Sequence, residues 1–168
     1  MRAPLLRVSG IVPESVVDGP GLRYVVFTQG CPHRCKGCHN PETHDPGGGS
    51  LLDARTMLEQ FRANPLLAGM TFSGGEPFLQ PGPLCFLASR VREEGKTVIV
   101  YSGYTLENLW SLAAGNPDVG VLLSLADTLI DGPYIEELRD LNLRFRGSSN
   151  QRELSPEDIR RGAPGAFS

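Results

Sequence analysis

Residues 69–101 read GMTFSGGEPFLQPGPLCFLASRVREEGKTVIVY, and this stretch decides the fold class. Gly69 to Phe72 is a short apolar run of strand character. Leu84, Leu87, Ala88 and Val91 then recur at helical spacing until Gly95 stops the pattern, and Thr97 to Tyr101 is a second β-branched, aromatic run. Strand, helix and strand over about thirty residues make a βαβ unit, whose crossover sets its two strands parallel.

The alternation continues on both sides. Downstream, Thr105 is a helix cap for a stripe of Leu106, Leu109, Trp110 and Ala113 that Gly115 and Pro117 end. Val119 to Ala126 is nearly all apolar, and periodicity alone does not decide between a buried strand and a buried helix turn; a short helix before a strand at Thr128 to Asp131 is the favoured reading. Upstream, the turn Asp18-Gly-Pro-Gly21 leads into Leu22 to Thr28, LRYVVFT, the first core strand. After a glycine run at Gly47 to Gly49, Asp53 caps a helix that places Ala54, Met57, Leu58 and Phe61 on one face and ends near Asn64-Pro65. From Glu153 the chain is polar; Ser155-Pro-Glu-Asp158 starts a short helix, and the end is expected to fray.

These elements predict an α/β fold of four or five βα units on a mainly parallel sheet. A closed eight-fold barrel takes about 250 residues, so 168 allow an incomplete barrel or an open sheet, with ligands at the C-terminal strand ends. The length predicts one domain, residues 1–168, with its core from about 9 to 152 and a polar tail over 153–168.

Sixteen basic and nineteen acidic residues give a net charge of −3 with no Lys/Arg block, which argues against nucleic acid or an anionic membrane as partner. No apolar run reaches the roughly 18 residues of a membrane span, and MRAPLLRVSG at the N-terminus has no signal-peptide pattern, so a cytoplasmic location is expected. In a reducing compartment, three cysteines within eight residues point to a metal or redox centre.

Those three, Cys31, Cys35 and Cys38, stand in C-x3-C-x2-C spacing just after the first core strand. Three thiolates can hold three irons of a four-iron cubane and leave the fourth open to a ligand. Other chemistries compete for the same residues. Structural zinc would take the three cysteines with His33 or His39, in a module that only binds a partner. A c-type haem fits Cys35-Lys-Gly-Cys38-His39 but leaves Cys31 unused, and a thioredoxin-like dithiol at Cys35 and Cys38 has the same defect. Cys85, on the predicted helix beside Leu84, is a small core hydrophobe.

The next strand ends in Ser73-Gly-Gly-Glu-Pro77, where two glycines let the backbone approach a ligand closely and Glu76 offers a carboxylate for an ammonium. The cysteine spacing after one strand and this loop after its neighbour resemble the radical S-adenosylmethionine superfamily. Residues 18–45, 71–80 and 126–152 resemble more narrowly the activases of glycyl-radical enzymes, and the resemblance covers most of Ser9 to Arg152.

The resemblance implies an incomplete β/α barrel carrying a 4Fe-4S cluster on Cys31, Cys35 and Cys38, with S-adenosylmethionine bound through its methionine amino and carboxylate groups. Gly74, Gly75 and Glu76, with Ser73, would take the methionine end; the backbone of Gly37, Cys38 and His39 would meet the adenine. Gly37 stands where the superfamily often has an aromatic residue, and the His39 ring is a candidate substitute. One electron from the cluster to the sulfonium would release a 5′-deoxyadenosyl radical that takes a hydrogen atom from a partner's glycine, with no further catalytic residue. The implied partner is an anaerobic ribonucleoside-triphosphate reductase presenting a glycine-bearing loop; a formate-lyase type enzyme is the alternative, and a flavodoxin or ferredoxin the implied electron donor. The absence of a second cysteine cluster in a short chain favours the reductase. Asp18 to Gly21 would border the incoming loop or simply turn the chain. Asp127 and Asp131 fall on one face of a regular strand, where Asp131 could meet the ribose or a cation, although Asp131-Gly-Pro is also an ordinary turn. The mixed basic and amide stretch Arg144 to Arg152 suits a partner, a phosphate or a solvated edge equally.

Overall fold

A computed structural model describes residues 4–165; the first three residues of the N-terminal segment and the last three of the tail lie outside the described residues. Seven strands, β1 (Leu5–Ser15), β2 (Arg23–Thr28), β3 (Ser50–Asp53), β4 (Gly69–Gly74), β5 (Thr97–Tyr101), β6 (Thr128–Asp131) and β7 (Arg152–Leu154), form one sheet in the order β3-β1-β2-β4-β5-β6-β7. Among the described residues, five α-helices accompany them: α1 (Ala54–Arg62), α2 (Pro81–Glu93), α3 (Leu106–Ala113), α4 (Pro117–Leu125) and α5 (Pro156–Arg161). None of the described helices is long and apolar enough to cross a membrane.

The α/β class is as expected, but the sheet is mixed rather than mainly parallel. β2, β4, β5 and β6 run parallel in register, whereas β1 pairs antiparallel with both β2 and β3, and β7 antiparallel with β6. The few residues between β1 and β2 can only form a hairpin-type return, because a parallel neighbour needs a crossover of a dozen residues or more.

The helices form where the apolar stripes lie. Asp53 caps α1 by accepting from Arg55 N at 2.8 Å, and Ala54, Met57, Leu58 and Phe61 are its buried face. Leu84, Leu87, Ala88 and Val91 are the buried stripe of α2, and Thr105 caps α3 through Asn108 N. These faces join Tyr24, Val26, Met70, Phe72, Val98, Val100 and Leu129 from alternate strand positions in one core. On the other face of the sheet, Arg23 is fully buried. Its guanidinium donates to Thr71 Oγ1 at 2.8 Å, Met70 O at 2.8 Å, Thr97 O at 2.9 Å, Thr97 Oγ1 at 3.0 Å and Pro20 O at 3.1 Å. Burial lowers its pKa to about 10, against the smaller opposing pull of Asp127 and Tyr101. This side chain staples the 18–21 turn to three strand starts, and Gly19, at φ 142°, passes so close that a Cβ would sit 2.5 Å from Ile99 Cδ1. In the structure these contacts turn the chain into β2.

The polar tail does not fray at its start. β7 adds to the sheet, and α5 carries a capping box between Ser155 and Asp158. Ile159 is buried, and Trp110 Nε1 donates to its carbonyl at 3.1 Å. One apolar residue in a polar helix thus closes the end of the core. Ile159→Ala should lower unfolding free energy by about 2–4 kcal/mol in chemical denaturation, while Glu157→Ala, which loses an exposed i,i+4 pair with Arg161, should change it by no more than about 0.5 kcal/mol.

Candidate functional site

Because β2, β4, β5 and β6 are parallel, the loops that follow them gather at one edge of the sheet. There they enclose a cavity of ≈ 220 Å³ whose lining includes Cys31, Cys35, Cys38, His39, Gly74 and Tyr134. All four cysteines of the chain are free thiols, and the three that the spacing singles out share this cavity. Among the described residues, no group of three or more His, Cys, Asp or Glu side chains is gathered tightly enough to hold a single metal ion. Three thiols spread along one loop around a common cavity fit a multi-iron cluster, in which each thiolate serves its own iron.

The cysteine loop is anchored at its two ends. Gly30 N donates to Thr43 O and Cys31 N to His44 O, while the buried Gln29 amide donates to Glu42 O and Asp45 O at 2.9 and 2.8 Å. Within it, Cys38 N turns back to Cys35 O at 3.1 Å. Burial pushes the Cys31 thiol up, a cost that thiolate ligation would have to overcome. Gly37 has φ 75°, and a Cβ there would meet the Glu136 carboxyl at 2.9 Å, so a carboxylate from the loop after β6 occupies the space a side chain would need. His39 lies with its ring centroid 5.1 Å from that of Tyr134, both facing the cavity.

Gly74 and Gly75 are required by chain packing as well as by any ligand. A Cβ on Gly74, at φ 92°, would fall 2.5 Å from Thr28 N, and one on Gly75 would fall 2.3 Å from Gly30 O. Their closeness lets Gly75 N donate to Thr28 O and Glu76 N to Gly30 O, each at 2.8 Å, which seats this turn against the base of the cysteine loop. Ser73 lies slightly apart, lining an adjoining cavity of ≈ 270 Å³ with Asp18 and Tyr101.

The Glu76 carboxylate is not turned toward the cavity for an ammonium. It is fully buried and accepts from Phe78 N at 3.0 Å, Gly103 N at 2.8 Å, Ser102 Oγ at 2.9 and 3.0 Å, and His33 Nε2 at 2.6 Å. Asp131 is likewise engaged elsewhere: it caps α3 through Leu106 N at 2.7 Å and pairs with Arg152, which also reaches Glu107. Asp127 precedes β6, at the opposite end from the cavity, and binds Arg92 and Val98 N. The stretch 144–152 is tied to the turn after β6, with Gln151 accepting from Gly147 N and donating to Gly132 O and Asn150 donating to Pro133 O, and its Gly147 and Gln151 line the cavity. Sequence reasoning weighed His33 only as a zinc ligand; its bond to Glu76, 43 positions along the chain, had no local signal.

Comparison with known proteins places these features in context. A family model described as a 4Fe-4S single cluster domain matches residues 17–154. The anaerobic ribonucleoside-triphosphate reductase-activating protein of Haemophilus influenzae is 36% identical over 149 residues, covering 83% of this chain and 91% of that protein. Its counterpart in Escherichia coli K12 is 35% identical over 150 residues, with 83% and 92% covered. The pyruvate formate-lyase-activating enzyme of Clostridium pasteurianum is 43% identical over 108 residues, covering 61% of this chain and 45% of that protein. Among solved structures, QueE from Escherichia coli superposes with a TM-score of 0.47 at 16% identity, over 60% of this chain and 53% of that one.

Cys85 stands outside the site, partly buried against the core with its Sγ 3.4 Å from Asp118 O. Burial raises its thiol to about 11, so at pH 8 only about one molecule in a thousand carries the thiolate. Peptide mapping after iodoacetamide treatment should show Cys85 alkylating far more slowly than a free cysteine at pH 8, with a rate that climbs about tenfold per pH unit toward pH 11.

Proposed function

The chain belongs to the 4Fe-4S single cluster domain family, with the anaerobic ribonucleoside-triphosphate reductase-activating proteins among its relatives, and from that premise we propose that it generates the glycyl radical of such a reductase. It is an enzyme of the radical S-adenosylmethionine type, with a 4Fe-4S cluster and S-adenosylmethionine as cofactors. When bound, these two supply a 5′-deoxyadenosyl radical able to take a hydrogen atom from a glycine Cα.

The protein's own contribution is placement. Cys31, Cys35 and Cys38 are the iron ligands, and the observation that carries this reading is their convergence on one cavity beside the 74–76 turn. The backbone of Gly74, Gly75 and Glu76 serves the methionine end, with Ser73 at its margin; the backbone of Gly37 and Cys38 and the ring of His39, braced by Tyr134, serve the adenine. The mixed sheet acts as the wall of an incomplete β/α barrel within a single domain, open on one side to a macromolecular glycine loop. A flavodoxin or ferredoxin in the cytoplasm is the proposed electron source.

Activation of a formate-lyase type enzyme is the second reading, favoured by the identity to the Clostridium enzyme. The chain spans less than half of that protein but about nine-tenths of the reductase activators, which supports the reductase as the partner.

The anaerobically iron-sulfide-reconstituted, reduced wild type should release 5′-deoxyadenosine from S-adenosylmethionine, and Cys31→Ala, Cys35→Ala and Cys38→Ala should each fall to background because each removes one of three protein ligands. Cys85→Ala should keep its iron. Mixed with purified reductase, the wild type should raise a glycyl-radical signal in electron paramagnetic resonance. Zinc in place of iron in the isolated protein, with no cofactor cleavage after reconstitution, would refute the reading in favour of a binding module.

A further inference from the structure

His33 is the one side chain of the cysteine loop with a deep partner outside that loop. Among the described residues, the bond from His33 Nε2 to Glu76 Oε1 at 2.6 Å is the hydrogen bond that ties residues 32–38 to another element. Lys36 adds only exposed ion pairs to Glu136 and Glu137 at 3.8 and 3.9 Å, which hold little in water. The imidazole has a prepared seat. Its ring stands edge-on to Tyr104 with centroids 4.4 Å apart, and its side chain is 15% exposed. A Cβ on Gly103 would lie 2.4 Å from His33 Cδ2 and 2.7 Å from Nε2, so the ring fits only because that position lacks a side chain.

The acceptor is equally specific. Oε1 of Glu76 also takes Gly103 N, and Ser102 Oγ bridges to both carboxylate oxygens. One buried carboxylate therefore joins the loops after β2, β4 and β5. We infer that His33 is a positioning residue: it seats the Cys31–Cys35 half of the cysteine loop on the 74–76 turn and so sets the spacing between the cluster's thiols and the backbone that holds the methionine end. The inference rests on the functional reading above. It assigns His33 no proton transfer and no ligation; the imidazole acts through Glu76, as a rigid donor that reaches across the gap between two loops.

Three variants test it. His33→Phe keeps a ring against Tyr104 and Gly103 but removes the donor; His33→Gln restores a donor at similar reach; Gly103→Ala leaves His33 in place and takes away its seat. After anaerobic reconstitution, iron and sulfide per chain, the dissociation constant of S-adenosylmethionine by equilibrium dialysis, and the shift of the reduced cluster's paramagnetic resonance on adding S-adenosylmethionine are measured for each. All three should hold wild-type iron. His33→Phe and Gly103→Ala should bind S-adenosylmethionine about tenfold more weakly, the worth of one strong hydrogen bond, with a diminished spectral shift. His33→Gln should return to within about threefold of wild type. Wild-type affinity and spectra in His33→Phe would overturn the inference, as would failure of His33→Gln to recover, or loss of iron from His33→Phe to the level of Cys31→Ala. A wild-type chain that takes up a cluster yet binds no S-adenosylmethionine would instead overturn the functional reading, and the inference with it.

Discussion

A carboxylate sealed inside a protein must have every acceptor position met, and Glu76 is the point from which the loop edge of this protein is organised. Its partners come from His33, Phe78, Ser102 and Gly103, so the loops after three parallel strands cannot move independently without stranding a buried polar group. The two glycines before it serve the same end. By letting β4 end in contact with Thr28 and Gly30, they bring the carboxylate beneath the cysteine loop.

The opposite edge of the sheet is held by a cation instead. Arg23 gathers Pro20, Met70, Thr71 and Thr97 with no carboxylate among its hydrogen-bond partners. Between them, a buried acid at the C-terminal ends and a buried base near the N-terminal ends keep the parallel strands in register where loops would otherwise set their own geometry. The chemistry-bearing loop is thereby presented on a rigid frame, as preorganised sites require.

Periodicity made much of this fold legible. The strands at Thr97–Tyr101 and Thr128–Asp131 and the α1, α2 and α3 stripes follow from spacing and caps that act over a few residues, whereas the nearly all-apolar α4 has no period that separates a helix from a buried strand. β1 was hidden because Gly10 and Pro13 interrupt its alternation and its register slips on either side of Gly10–Val12, the pattern of a bulged strand. Ile159 anchors a tail whose composition is otherwise that of a free end. At the site, the cysteine spacing is local and was visible. The fates of Glu76 and Asp131 were not, since their partners lie far along the chain: His33 is 43 positions from Glu76, and Leu106 is 25 from Asp131. A carboxylate next to a glycine turn looks the same in sequence whether it faces a ligand or caps a distant helix.

The placement of β3 and β7 bears on how this protein meets other macromolecules. The parallel strands β2, β4, β5 and β6 are all interior, and the sheet terminates in antiparallel strands of only four and three residues, one ending in Asp53 and the other containing Arg152 and Glu153. Short, charged borders offer a poor template for strand addition. Little sheet border is therefore open to strand addition, whereas the loops after the parallel strands, the cysteine loop among them, gather at one end of the sheet.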